Sequence, residues 1–149
     1  MSKRALMSSL VGVLAFGGVV AGGFAIASAA TAPTVVNGSA RYVAPSDGKA
    51  GSLTFTADVR DDSGVRDLKV VAWPASSKLN PTEEELRHAD SSKCETTSAA
   101  KARCTYTLKV TKTEAAELAQ GPWYVSALAT AEDGDTEFVP RAATFEVAH

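Results

Sequence analysis

The 149-residue sequence predicts an all-β domain, an antiparallel β-sandwich of six to seven strands with one or two short helices in the connections. Three observations carry that expectation. Apolar and polar residues alternate over short runs, the period of a half-buried strand. Clusters of Asn, Asp, Ser and Gly separate most of those runs, as turns do. No strand–helix–strand alternation of the kind that builds a parallel sheet is present.

The domain is expected to follow a leader. Lys3 and Arg4 make a positive start, no further charge occurs before Arg41, and Leu10 to Ile26 is apolar, though rich in glycine. Ala27-Ser28-Ala29 supplies the small-x-small pattern that a signal peptidase reads. Residues 1–29 are therefore read as a signal peptide cleaved beside Ala29 and Ala30, and 30–149 as the domain. The alternative is an uncleaved anchor, since the apolar run is long enough to span a bilayer. After the leader, 13 basic residues stand against 17 acidic ones, a net charge of −4. That balance argues against nucleic acid or an anionic membrane surface as a partner. A secreted, extracellular location is expected, with no membrane association once the leader is removed.

Within the domain, 33–36 and 41–43 are β-prone runs interrupted by Asn37-Gly38-Ser39, which suits an edge strand with a break. Leu53, Phe55, Ala57 and Val59 alternate with Thr54, Thr56 and Asp58, a half-buried strand. Asp61-Asp62-Ser63-Gly64 turns the chain, and 65–73 returns it. Pro74 ends that strand. The next thirty or so residues, Pro74 to Arg103, show no strong strand pattern and so need structure of their own. Asn80 as cap, Pro81 at the first helical position and Glu83 three residues on predict a helix from Pro81 to about Ala89. Residues 92–110 fold back, with Cys104, Tyr106, Leu108 and Val110 on one face of a strand. Thr111 to Glu114 is a T-x-x-E capping box whose helix Gly121 is placed to end. Gly121 to Asp135 is the stretch expected to form the central strand, closed by an acidic glycine turn, with Trp123, Val125, Ala127, Ala129 and Ala131 on one face. After Glu132-Asp133-Gly134-Asp135 comes a last strand in which Pro140 marks an edge or a bulge.

Cys94 and Cys104 read as a disulfide, since both lie in the exported part and their number is even. Zinc would need four ligands, and only His88 and His149 are available besides.

The run from Leu53 to Val59, the turn at 61–64, the strand into Trp73 and the segment from Gly121 to Gly134 resemble strands B, C and F of bacterial extracellular immunoglobulin-like domains. The whole chain, leader included, resembles a small secreted actinobacterial family of unknown function with such a domain. The resemblance implies an immunoglobulin-like β-sandwich and an exported location, and it brings no activity or site residues. In that fold the B–C and F–G loops share one end of the sandwich. Asp61 and Asp62 would then lie near Glu132, Asp133 and Asp135, a candidate Ca²⁺ pole of hard oxygen ligands. The competing reading is turn chemistry, which uses Asp and Gly anyway.

No nucleophile elbow, zinc-protease motif or phosphate loop occurs, and two histidines leave little material for a triad. No catalytic residues and no cofactor are expected, Ca²⁺ at the acidic turns aside. Tyr42, Trp73, Trp123 and Tyr124 raise a sugar-binding platform, although Trp123 alternates with apolar residues as a core side chain does. The sequence thus points to a non-enzymatic binding module for an extracellular protein or envelope glycan, using the disulfide-clipped 74–103 segment as an ordered protrusion. A small hydrolase using carboxylates and an anchored envelope protein are the alternatives.

Overall fold

At Asp61-Asp62-Ser63-Gly64 the chain leaves one sheet and enters the other. The computed structural model describes residues 32–148, so the expected leader, its cleavage point at Ala29 and Ala30, and His149 lie outside the described residues. Within them the strands are β1 (Thr34–Val43), β2 (Gly51–Arg60), β3 (Val65–Pro74), β4 (Asp90–Ser91), β5 (Lys93–Ser98), β6 (Lys101–Val110), β7 (Gly121–Ala131) and β8 (Thr136–Val147). The helices are α1 (Glu83–Leu86) and α2 (Lys112–Glu117). Two antiparallel four-stranded sheets result, in the orders β1-β2-β6-β5 and β4-β3-β7-β8. The described residues therefore hold eight strands, not six to seven. The additions come from the stretch after Pro74. There β4 is two residues long, and β5, KCETTS, is an exposed edge with almost no apolar alternation to reveal it.

The inner faces of both sheets form one core. Leu53, Phe55, Ala57 and Val59 of β2 meet Leu68, Val70 and Ala72 of β3 and the Trp123, Val125, Ala127, Ala129 face of β7. Trp123 stacks on Phe145 with centroids 5.9 Å apart, and its Nε1 donates to the carbonyl of Ala119 at 2.8 Å. The expected central strand is central: β7 pairs with β3 on one side and β8 on the other. β1 is continuous, with a register shift between Val36 and Ser39. Asn37 there takes φ 57°, and Gly38 passes the Ala142 carbonyl so closely that a Cβ would collide with it. Pro140 sits on the β8 edge, near the shift in the β7–β8 register, where a missing N–H breaks no ladder.

The segment from Pro74 to Arg103 does not protrude. Its first half lies across the outer face of the β4-β3-β7-β8 sheet, where Leu86 seals a second cluster with Val71, Trp73 and Leu128. The helix is shorter than expected, and its cap is Thr82, not Asn80. Thr82 Oγ1 accepts from Glu85 N at 3.3 Å while Glu85 Oε2 accepts from Thr82 N at 2.8 Å. That reciprocal box satisfies two donors, against the one that Asn80 could reach. The Thr111–Glu114 box forms as expected, but α2 ends at an extended Leu118, and Gly121, at φ +104°, opens β7 instead.

Cys94 and Cys104 stand opposite each other in the β5–β6 ladder and are joined by the disulfide. Beneath it, Cys104 is fully buried. Two expected outcomes follow for urea unfolding. Leu86→Ala empties the seal over Trp73 and lowers stability by about 2–4 kcal/mol. A Cys94→Ala/Cys104→Ala variant loses roughly 2–3 kcal/mol, the loop-closure value for a link of this span. Losses well under 1 kcal/mol in either would show that cover or clip is dispensable.

Candidate functional site

The two acidic turns do meet. Glu132 N donates to the Gly64 carbonyl at 2.9 Å, and Asp133 N donates to Ser63 Oγ at 3.1 Å. Three of their five carboxylates already engage a neighbour through one oxygen, while Asp61 Oδ2 is buried without a hydrogen-bond partner. Asp61 Oδ1 accepts from both Ser63 N and Ser63 Oγ, at 2.8 and 2.6 Å. Asp133 Oδ1 accepts from Asp135 N at 3.0 Å, and Glu132 lies 3.6 Å from Arg66 Nε. Among the described residues no three His, Cys, Asp or Glu side chains gather in a way that could hold a metal ion. The geometry at this pole is that of turn chemistry.

Nor do the aromatics form a platform. Trp73 and Trp123 are 4% and 5% exposed. Trp73 Nε1 donates to Ser126 Oγ, which itself donates to the Pro140 carbonyl, at 2.9 and 2.7 Å. Tyr124 is half-buried between Trp73 and the Arg141 guanidinium, which lies 4.3 Å from its ring centroid. Tyr42 borders a cavity of about 10 Å³ that is lined by apolar side chains, too small for any ligand larger than water. Burial raises the pKa of Tyr42, and burial aided by the charge of Asp90 pushes Tyr106 up to about 12, so both phenols remain protonated at neutral pH.

What remains is a face. Residues 75–92 cover the outer side of one sheet, while no described element covers the outer side of β1-β2-β6-β5. The strand period places alternate residues of four strands on that side. At its centre Thr54 faces Thr107 and Thr56 faces Thr105. Cations surround this block of hydroxyls. Arg41 opposes Thr54 from β1, Lys93 opposes Thr105 from β5, and Lys109 opposes Ser52. Arg103 opposes Asp58, and Arg60 opposes Lys101.

Asp58 is the buried acid of this face, 6% exposed. Its Oδ2 accepts from Asn37 Nδ2 at 3.0 Å and its Oδ1 from Arg103 Nε at 3.2 Å. The Asn37 amide and then the Arg103 guanidinium hold its carboxyl below the ordinary value, and burial opposes them without prevailing. Each end of the face opens into a hollow. One, of about 520 Å³, is bordered by Arg60, Lys101, Asp61 and Asp62. The other, of about 360 Å³, is bordered by Lys49, Lys109 and Lys112.

Sequence reasoning identified Thr54, Thr56 and Asp58 as outward-facing but did not join them to β6. The signal was present in the matching outward set Thr105, Thr107 and Lys109. Its partner strand could not be read from alternation alone.

Residues 35–129 match a family of unknown function (DUF5707). No curated protein and no solved structure matches the chain.

The Asp58 environment has a pH consequence. A carboxyl whose folded pKa is depressed adds stability above its unfolded value of about 4 and loses it as pH falls through the folded value. The melting temperature of the wild type is expected to fall through that acid window, and Asp58→Asn to flatten the fall. An equally steep acid limb in the variant would show that Asp58 is not coupled to folding.

Proposed function

The chain belongs to a family of unknown function, DUF5707, and within it we propose that this member is an exported, non-enzymatic binding module. One observation carries the reading: the chain buries the outer face of one sheet under its own residues 75–92 and leaves the other, polar and cationic, open. The proposed binding surface is that open face, in place of the 74–103 segment, whose first half is a cover.

The strand distribution supports an immunoglobulin-like domain. With the eight strands taken as A, B, C, C′, D, E, F and G, the sheets are A-B-E-D and C′-C-F-G, the division of that fold. Export is supported by the leader pattern of residues 1–29 and by the disulfide. Among the described residues no helix is long and apolar enough to cross a membrane. Against the hydrolase reading stands the use of the two buried carboxylates. Asp58 is held ionised by Asn37 and Arg103 and so is not poised as a general acid, and Asp61 spends one oxygen on Ser63 within its own turn.

The test is retention on insoluble envelope material of the producing cell. The full chain is expected to sediment with it. Thr56→Glu/Thr105→Glu, which places two negative charges opposite each other at the centre of the face, is expected to stay in the supernatant while still unfolding cooperatively, at a somewhat lower melting temperature. Lys78→Glu, on the cover, should sediment as the wild type does. Equal retention of the threonine variant would exclude the face.

A further inference from the structure

We propose that the open face of the β1-β2-β6-β5 sheet binds a linear anionic glycan, a polysaccharide that carries uronate carboxylates along its length. The inference rests on the reading of that face as the binding surface.

Of the 13 Lys and Arg between residues 32 and 148, Arg66, Lys69 and Arg87 pair with carboxylates away from the face, and Lys112, at the hollow beyond its end, pairs with Asp47. Arg141 lies over Tyr124, and Arg103 holds Asp58. Seven remain without an ion pair among the described residues, and five of them, Arg41, Arg60, Lys93, Lys101 and Lys109, stand on this face. A sixth, Lys49, borders the hollow at its end. The opposed register of Arg60 and Lys101 sharpens the point. Like charges directly opposite on neighbouring strands destabilise a sheet. The fold gains nothing from this pair, whereas an anion lying across it would be held from both sides.

The net charge of −4 does not oppose this, because the charge is segregated. The face carries six of the 13 cations and, in Asp58 and Glu95, two of the 17 acids. Asp61 and Asp62 border the hollow at its Arg60/Lys101 end, and most of the remaining acidity lies elsewhere on the chain.

The chemistry between the cations selects the partner. Thr54, Thr56, Thr105 and Thr107 offer hydroxyls that both donate and accept, which suits sugar hydroxyls. Guanidinium and ammonium groups around them suit carboxylates. Ten-residue strands run about 33 Å, so the charges are spread along a lane that a chain molecule can follow. The face bears no aromatic side chain, and its exposed apolar residues, Val36 and Val43, lie on the β1 edge. Single-stranded nucleic acid is held by aromatic stacking, and protein hot spots are enriched in Trp and Tyr. A hydrated polyanion needs neither.

The experiment is affinity electrophoresis of the full chain through gels containing polygalacturonate or neutral dextran. Retardation is expected in polygalacturonate alone, with affinity falling at least roughly tenfold between about 50 mM and about 300 mM salt. Arg41→Gln/Lys109→Gln and Arg60→Gln/Lys101→Gln are each expected to weaken it about tenfold without lowering the unfolding midpoint, each removing two charge contacts. Lys78→Gln/Arg87→Gln, on the covered side, should leave it unchanged. Absence of retardation, equal retardation by dextran, or wild-type binding by either face variant overturns the proposal. Sedimentation equilibrium covers the other occupant: a low-salt dimer abolished by the face variants would assign the face to a second copy. If the threonine variant loses envelope retention while polygalacturonate fails to bind, the glycan assignment falls and the face remains the binding surface.

Discussion

The burial of β7 on both faces is the constraint on which the rest of the architecture depends. Its inner side meets the opposite sheet through Trp123, Val125, Ala127 and Ala129, while its outer side carries Ser126 and Leu128, both shielded from water. A strand of this kind needs a second layer, and the chain supplies it from residues 75–92. Leu86 closes over Trp73 and Leu128, and the buried Ser126 hydroxyl is satisfied twice, by Trp73 and by Pro140. An unsatisfied hydroxyl at that depth would cost about 1–3 kcal/mol. The cover is therefore steric, and the neighbouring strands β3 and β8 supply the polar partners.

That cover also sets where the chain can go next. Having crossed the outer face of one sheet, it pairs briefly as β4 and then joins the far edge of the other as β5. The disulfide ties β5 to β6, so a polar edge strand with little core of its own is held by a covalent link. The consequence for function is asymmetric. One sheet is sealed by the protein itself; the other keeps a flat side of threonines and cations in water.

Much of this was legible in the residues. The alternation at 53–59, 104–110 and 123–131 marked three strands and their buried faces correctly, and Thr111-x-x-Glu114 marked a helix start. The acidic turns at 61–64 and 132–135 were expected to meet, and they do. What alternation could not show was β5. Its residues are polar on both sides, and only pairing with β6 makes them a strand. The choice of Thr82 over Asn80 as helix cap was also hidden. Both are good caps in isolation, and the contest was decided by Glu85 reaching back to Thr82. Most of the candidate site was illegible for a related reason. Its cations come from strands as far apart in sequence as Arg41 and Lys109, and no local pattern says which strands become neighbours.

By itself, then, the sequence determined the all-β class of the fold, the buried faces of the strands at 53–59, 104–110 and 123–131, the turns and the cysteine pair. These are properties of local period and turn chemistry, which a linear reading contains. Only the tertiary structure decided that the segment after Pro74 is a cover, that Asp61 and Asp133 each spend an oxygen within the acidic turns, and that most of the unpaired cations share one face. Those outcomes depend on strand order and register, and it is the packing of distant residues that chooses among the orders local chemistry allows.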